Sequence, residues 1–174
     1  MFIAQKLRKQ NITAYVLYMF QVEDTIRAYA LDSTRLECEY LTRFNYEGQQ
    51  LKQAVEWYSN LCRMMREEGV TESGHPQVVR NTLMLLADRH QELLEDAKQP
   101  FYNAAYYKAL PYIVELRARG VDKEKNEMEV CLDALYGVTL LRMQQKDVSA
   151  QTLQAIRPIA HLMELLSQLY DKES

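Results

Sequence analysis

Glu23, Asp24 and Arg27 fall within five positions of one another and form the charged group best placed for chemistry in this sequence. Glu23 lies four residues before Arg27 and Asp24 three before it, so on a helix both carboxylates reach the same guanidinium. The simpler reading is an intrahelical ion pair at a helix edge or a helix interface. The functional reading is a polar pocket lined by Tyr15, Tyr18, Gln21, Glu23 and Arg27. Helical geometry spreads these side chains over more than one face, which counts against the pocket. The scarcity of other charges between Ile12 and Leu31 counts for it, and the apolar neighbours Val22 and Ile26 favour partial burial of the knot.

Histidine is the next candidate, and there are 3. His75 stands in a loop before Pro76. His90 falls on the apolar seam Val79–Leu83–Leu86–His90–Leu93–Ala97, so it should be at least partly buried, and it reads as a hydrogen-bonded core residue before it reads as a ligand. His161 shares a face with Arg157, Glu164 and Gln168 and should be exposed. A di-iron carboxylate bundle needs Glu-x-x-His on helices. No predicted helix carries that spacing, and the reversed His161-x-x-Glu164 occurs once. Cys-x-x-Cys, His-Glu-x-x-His, a glycine-rich phosphate loop and Gly-x-Ser-x-Gly are all absent. No metal and no cofactor is expected. Cys38, Cys62 and Cys131 lack paired spacing and sit among apolar helical positions, so they read as buried thiols.

The elements that position these residues are helices. Ile12, Tyr15, Met19, Val22, Ile26 and Tyr29 recur at steps of three and four, and one helix is expected from about Gln5 to Leu31. A short helix follows, with Thr34 and Glu37 spaced as a capping box. A long one spans Glu47 to Glu68 and closes at Gly69. Pro76 opens the next, which reaches Lys98; Pro100 restarts the chain into a helix ending at Gly120. Asp122 and Ser149 are expected caps of the last two, and Pro111 and Pro158 interrupt helical patterns. No strand alternation appears. The prediction is an all-α, single-domain bundle of six to seven helices over residues 1–174, mostly long and joined by short connections.

Two helices stand out. The one from Met128 to Met143 is apolar nearly all round, so it should be the most buried long element. Gly137 in its middle costs about 1 kcal/mol relative to Ala. Close approach of another helix backbone would offset that cost; a ligand against the bare backbone is the sharper alternative. Tyr102, Tyr106, Tyr107 and Tyr112 crowd another helix, in a chain with 12 tyrosines. Tyrosine suits bundle edges, interfaces and pockets, because the ring packs while the hydroxyl needs a partner.

The stretch N-I-T-A-Y-V-L-Y-M-F-Q-V-E-D-T-I-R-A from Asn11 to Ala28 resembles the opening of a bacterial family of the Bacteroidetes known as domain of unknown function 4924. The E-W-Y around Trp57, R-M-M-R-E-E-G-V ending at Val70, L-P-Y-I-V-E-L-R from Leu110 to Arg117 and E-V-C-L-D-A-L-Y-G-V-T-L-L-R-M from Glu129 to Met143 fit it too. The resemblance implies a bacterial, all-helical protein and carries over no functional residue.

Composition narrows the function classes. A formal charge of -3 offers no large basic field for a phosphate backbone, and Lys6, Arg8 and Lys9 read as a solvated end. Nucleic acid is not expected as a partner. No apolar run approaches the roughly 20 residues of a membrane span, and the N-terminus lacks the order of a signal peptide. A cytoplasmic location is expected, with no membrane partner. The leading expectation is a noncatalytic helical domain acting through association with itself or another protein. The alternative is a small-molecule-binding bundle or enzyme with a polar cavity near Glu23 and Arg27, or at His90.

Overall fold

The computed structural model describes residues 2–120 and 123–170. Among them every regular element is helical: α1 (Phe2–Gln10), α2 (Ile12–Ala28), the single turn α3 (Ser33–Arg35), α4 (Gly48–Glu67), α5 (Gln77–Glu95), α6 (Pro100–Ala118), α7 (Glu127–Met143) and α8 (Ala150–Tyr170). The all-α architecture is as the periodicity predicts, with slightly more helices than expected. The chain forms two compact units, Met1–Gln10 with Tyr18–Arg80 and Asn11–Leu17 with Asn81–Ser174, whose boundaries fall within α2 and α5.

The expected first helix is two. Asn11 interrupts it, and its Oδ1 accepts from the Ala14 amide at 2.9 Å and the Thr13 hydroxyl at 3.0 Å, as an N-cap does. Ser167 of α8 donates to the same oxygen at 2.8 Å, so the cap is also a tether to the last helix. Asparagine competes with helical backbone through its side chain, which is why a continuous apolar pattern does not guarantee a continuous helix.

α2 ends without glycine. Ala30 and Leu31 both adopt positive φ, 54° and 58°, a conformation costing roughly 1–2 kcal/mol per L-residue. Leu31 is buried, and Arg66 of α4 donates to its carbonyl at 2.6 Å, so tertiary contacts hold the bend. The cap that follows is Asp32, not the expected Thr34 and Glu37 box. Its carboxylate accepts from the amides of Thr34 and Arg35 at 2.9 and 3.1 Å. From Leu36 the backbone widens into a π-turn, Leu36–Tyr40, and tightens into a 3₁₀ turn, Leu41–Phe44. The π-turn bonds the Leu41 amide to the Leu36 carbonyl, and the side chains of Leu36 and Leu41 are both buried.

Later boundaries follow the sequence reading. Gly69 and Gly120 take positive φ after α4 and α6, Pro100 begins α6, and Ser149 accepts from the Thr152 amide at 3.1 Å to cap α8. α5 stops at Glu95, three residues short of the expected Lys98. α7 is capped by Asn126, which accepts from the Glu129 amide at 2.9 Å; the expected cap Asp122 lies outside the described residues.

In the second unit α6 packs against α8 along much of its length and also against α7. Its buried face is Tyr102, Ala105, Ala109 and Ile113, whose spacing of three and four includes two small residues that allow close helix approach. α7 is not the most buried long helix. Its buried residues are Met128, Val130, Cys131, Leu132 and Val138, mostly in its first half, while Leu135, Leu140 and Leu141 are only half-covered. α2 is more deeply buried, from Ile12 through Val16, Met19, Phe20, Val22 and Glu23 to Ile26. Cys62 and Cys131 are buried as expected, but Cys38 is exposed, because the π-turn rotates it outwards while covering Leu36 and Leu41.

Candidate functional site

In the charged knot on α2 Glu23 is buried, Arg27 half-buried and Asp24 exposed, and further partners come from a distant loop. The Glu23 side chain is 2% exposed, and its Oε2 lies 2.8 Å from His75 Nδ1. The His75 ring stacks on Phe20, with centroids 4.3 Å apart and planes 15° from parallel. Burial pushes the Glu23 carboxyl above its ordinary value, opposed by the His75 hydrogen bond and by the Arg27 charge. Among the described residues Glu23 Oε1 and Arg27 Nε are buried without a hydrogen-bond partner.

Arg27 works as a staple. Nη2 donates to the carbonyls of Val70 and Gly74 at 3.2 and 2.5 Å, while Nη1 lies 3.3 Å from Asp24 Oδ1 and 3.8 Å from Glu23 Oε2. One guanidinium therefore fixes the loop that carries His75, and that loop returns an imidazole to Glu23. A carboxylate beside an imidazole is the pairing that orients a general base. Here the imidazole face is covered by Phe20, and the visible consequence is a loop locked onto α2.

The other proposed lining residues do not converge on this knot. Gln21 is exposed, and Tyr15 is buried in the portion of α2 that belongs to the second unit. Tyr18 instead meets Tyr58 of α4, where burial pushes its phenol up to about 12.

His90 is buried on α5 as the seam predicts. Its Nδ1 is 2.6 Å from the Tyr102 hydroxyl. Its Nε2 faces Glu127 Oε2 at 3.4 Å, outside hydrogen-bond geometry. Burial lowers the His90 pKa against the opposing pull of Glu127. Burial also raises the Tyr102 phenol, so its O–H donates to a neutral imidazole, leaving Nε2–H towards the carboxylate. Tyr106 donates to Glu127 at 3.0 Å, and burial with this bond pushes its phenol up to about 12. Tyr102 and His90 have almost no exposed surface, so the group anchors α5, α6 and α7 to one another from inside. His161 is exposed, as expected.

The second unit holds a cleft of about 590 Å³ between the C-terminal half of α6, the second half of α7 and the start of α8. Leu116, Val138, Leu141, Ile156 and Ile159 form apolar walls, and Glu115 and Arg119 stand as an ion pair at its edge. Gly137 is part of the wall, and a Cβ placed on it would meet no atom within 4 Å. The close helix contact expected at Gly137 is therefore not found among the described residues: the glycine faces the cleft instead.

The profile of a family described as a domain of unknown function (DUF4924) matches residues 1–174. The chain belongs to this family. No curated protein and no solved structure matches it. Membership thus names the family without assigning roles to residues, and the candidate groups stand on their geometry.

Sequence patterns identified Glu23, Arg27 and His90 but not the residues that complete their surroundings. His75 is 52 positions from Glu23, and Tyr102 and Glu127 reach His90 from two other helices. The sequence places His75 in a loop directly before Pro76 and gives it no partner.

Proposed function

We propose that this chain is a noncatalytic cytoplasmic helical domain that acts by association, and that the outer face of α6 pairs with a second copy of itself. One observation carries the reading. Opposite its buried face, α6 presents Phe101, Ala104, Tyr107, Pro111, Val114 and Ala118 to solvent, with Phe101 84%, Tyr107 65% and Val114 57% exposed. Those positions recur every three or four residues, so they line up as one apolar stripe along the helix. Scattered exposed apolar residues are ordinary; a continuous stripe along a whole helix is a mark of an interface. Burying one such large side chain contributes about 1.5–3 kcal/mol.

Charge placement favours self-pairing. Lys108 and Glu115 flank the stripe about two helical turns apart. An antiparallel two-fold pairing with its axis near Pro111 sets each Lys108 opposite the partner's Glu115, the self-complementarity that a two-fold interface requires. An exposed, unpaired Cys38 thiol suits a reducing compartment, and among the described residues no helix is long and apolar enough to cross a membrane.

Size-exclusion chromatography with light scattering tests the proposal. Wild type is expected as a dimer, and the triple variant Phe101→Glu, Tyr107→Glu, Val114→Glu as a monomer with unchanged far-ultraviolet circular dichroism. Lys108→Glu should weaken the dimer, and adding Glu115→Lys should restore it. A wild type that stays monomeric at high micromolar concentration would overturn the reading. The cleft gives the small-molecule-binding reading its own footing, on residues other than Glu23 and Arg27.

A further inference from the structure

We infer that the cleft between α6, α7 and α8 is a binding site for one small, uncharged, mainly apolar molecule that carries a hydrogen-bonding group at one end. The volume, about 590 Å³, lies within the range of small-molecule pockets, and clefts between bundle helices are a common place for them. What keeps it open is residue size. Ala134 and Gly137 on α7 and Ala155 on α8 line it, so the three positions that larger side chains would fill carry the smallest ones. Among the described residues no atom comes within 4 Å of a Cβ placed at Gly137. A mid-helix glycine is unfavourable for the helix, and its one structural consequence here is bare backbone facing an apolar cavity.

The walls and the edge indicate the chemistry of the occupant. Leu116, Val138, Leu141 and Ile159 offer only dispersion and apolar burial. At the edge, Arg119 donates to Glu115, so cation and anion neutralise each other and neither sign of ligand charge is favoured. Tyr112, Gln151 and Gln154 border the same opening and supply neutral donors and acceptors. A neutral apolar body with a single polar end fits that arrangement; a free carboxylate or phosphate would compete with Glu115 for Arg119 and crowd its charge.

Titration of the full-length protein with the neutral fluorophore N-phenyl-1-naphthylamine reads the site directly, with the sulfonated analogue 1-anilinonaphthalene-8-sulfonate as the charged arm. The neutral probe is expected to bind saturably, one per chain, and at least tenfold more tightly than the sulfonate. Gly137→Leu and, separately, Ala155→Leu should each weaken it at least tenfold by occupying the cleft, with thermal melts confirming that each variant is folded. If one of them fails to fold, the other carries the test. The α6 stripe variant of the previous section should keep full binding, which separates this site from the outer face of α6 and separates failure of one proposal from failure of the other. Unsaturable binding, equal affinity for the two probes, or wild-type affinity in a folded cleft-filling variant would each overturn the inference.

Discussion

Removing Arg27 should destabilise the protein by about 2–4 kcal/mol at neutral pH, well above the value for a surface ion pair. The guanidinium is only 17% exposed and makes two hydrogen bonds to the 70–74 loop. A hydrogen bond to a charged group contributes about 1.5–3 kcal/mol, and the half-buried Val70 carbonyl loses most of that when its donor is gone. The Gly74 carbonyl is open to water and recovers much of its loss. Asp24 is exposed, so its pairing adds under about 1 kcal/mol. Glu23 keeps His75 but loses the cation 3.8 Å away, and a buried carboxylate deprived of a partner is costly.

The pH dependence follows from Glu23. Its folded pKa is raised above the ordinary 4.5, so the folded state holds the proton more tightly than the unfolded one, and stability falls as pH rises from there through the raised value. Arg27 opposes that fall by favouring the ionised form; without it the fall steepens. The cost of Arg27→Ala measured by urea denaturation should therefore be larger at about pH 8 than at about pH 5. In a Glu23→Gln background, where no carboxylate titrates, the two costs should agree. A cost below about 0.5 kcal/mol at both pH values would place the pair at the surface and refute the burial argument.

Other expectations follow from the same structure. Gly137→Ala should stabilise by about 0.5–1 kcal/mol, because the new methyl meets open space and the helix gains propensity; a loss seen by urea denaturation would mean another backbone lies close after all. Tyr102→Phe should cost about 1–3 kcal/mol by leaving His90 Nδ1 buried without its donor, again read from urea midpoints. Since burial depresses the folded His90 pKa below its ordinary 6.5, stability assigned to neutral His90 is lost as pH falls below that value, and His90→Gln should flatten this part of the pH profile. Under native conditions a thiol reagent should modify Cys38 quickly and Cys131 only on unfolding, since Cys131 is buried with its thiol pushed up to about 12; mass spectrometry of labelled peptides checks it.

Local chemistry along the chain was enough to determine much of the architecture. Apolar spacing of three and four marks helices whatever their neighbours, and Gly69, Pro100, Gly120 and Ser149 act on backbone within a few residues, so their turns and caps were readable directly. The same locality explains why the Glu23–Arg27 pair and the His90 seam could be picked out. Where two local signals competed, periodicity misled: Asn11 breaks a continuous apolar stripe because its side chain caps the following turn, and the π-turn at Leu36 turns Cys38 outwards. Tertiary structure alone decided the rest. Whether Glu23 is buried depends on a loop 52 residues away bringing His75 to it, and whether Gly137 meets a helix or a cavity depends on which residues of α6 and α8 come opposite it. Apolar residues all round a helix state that burial is favourable, but which of them is covered depends on the surfaces that other segments bring, and that information is spread over the whole chain.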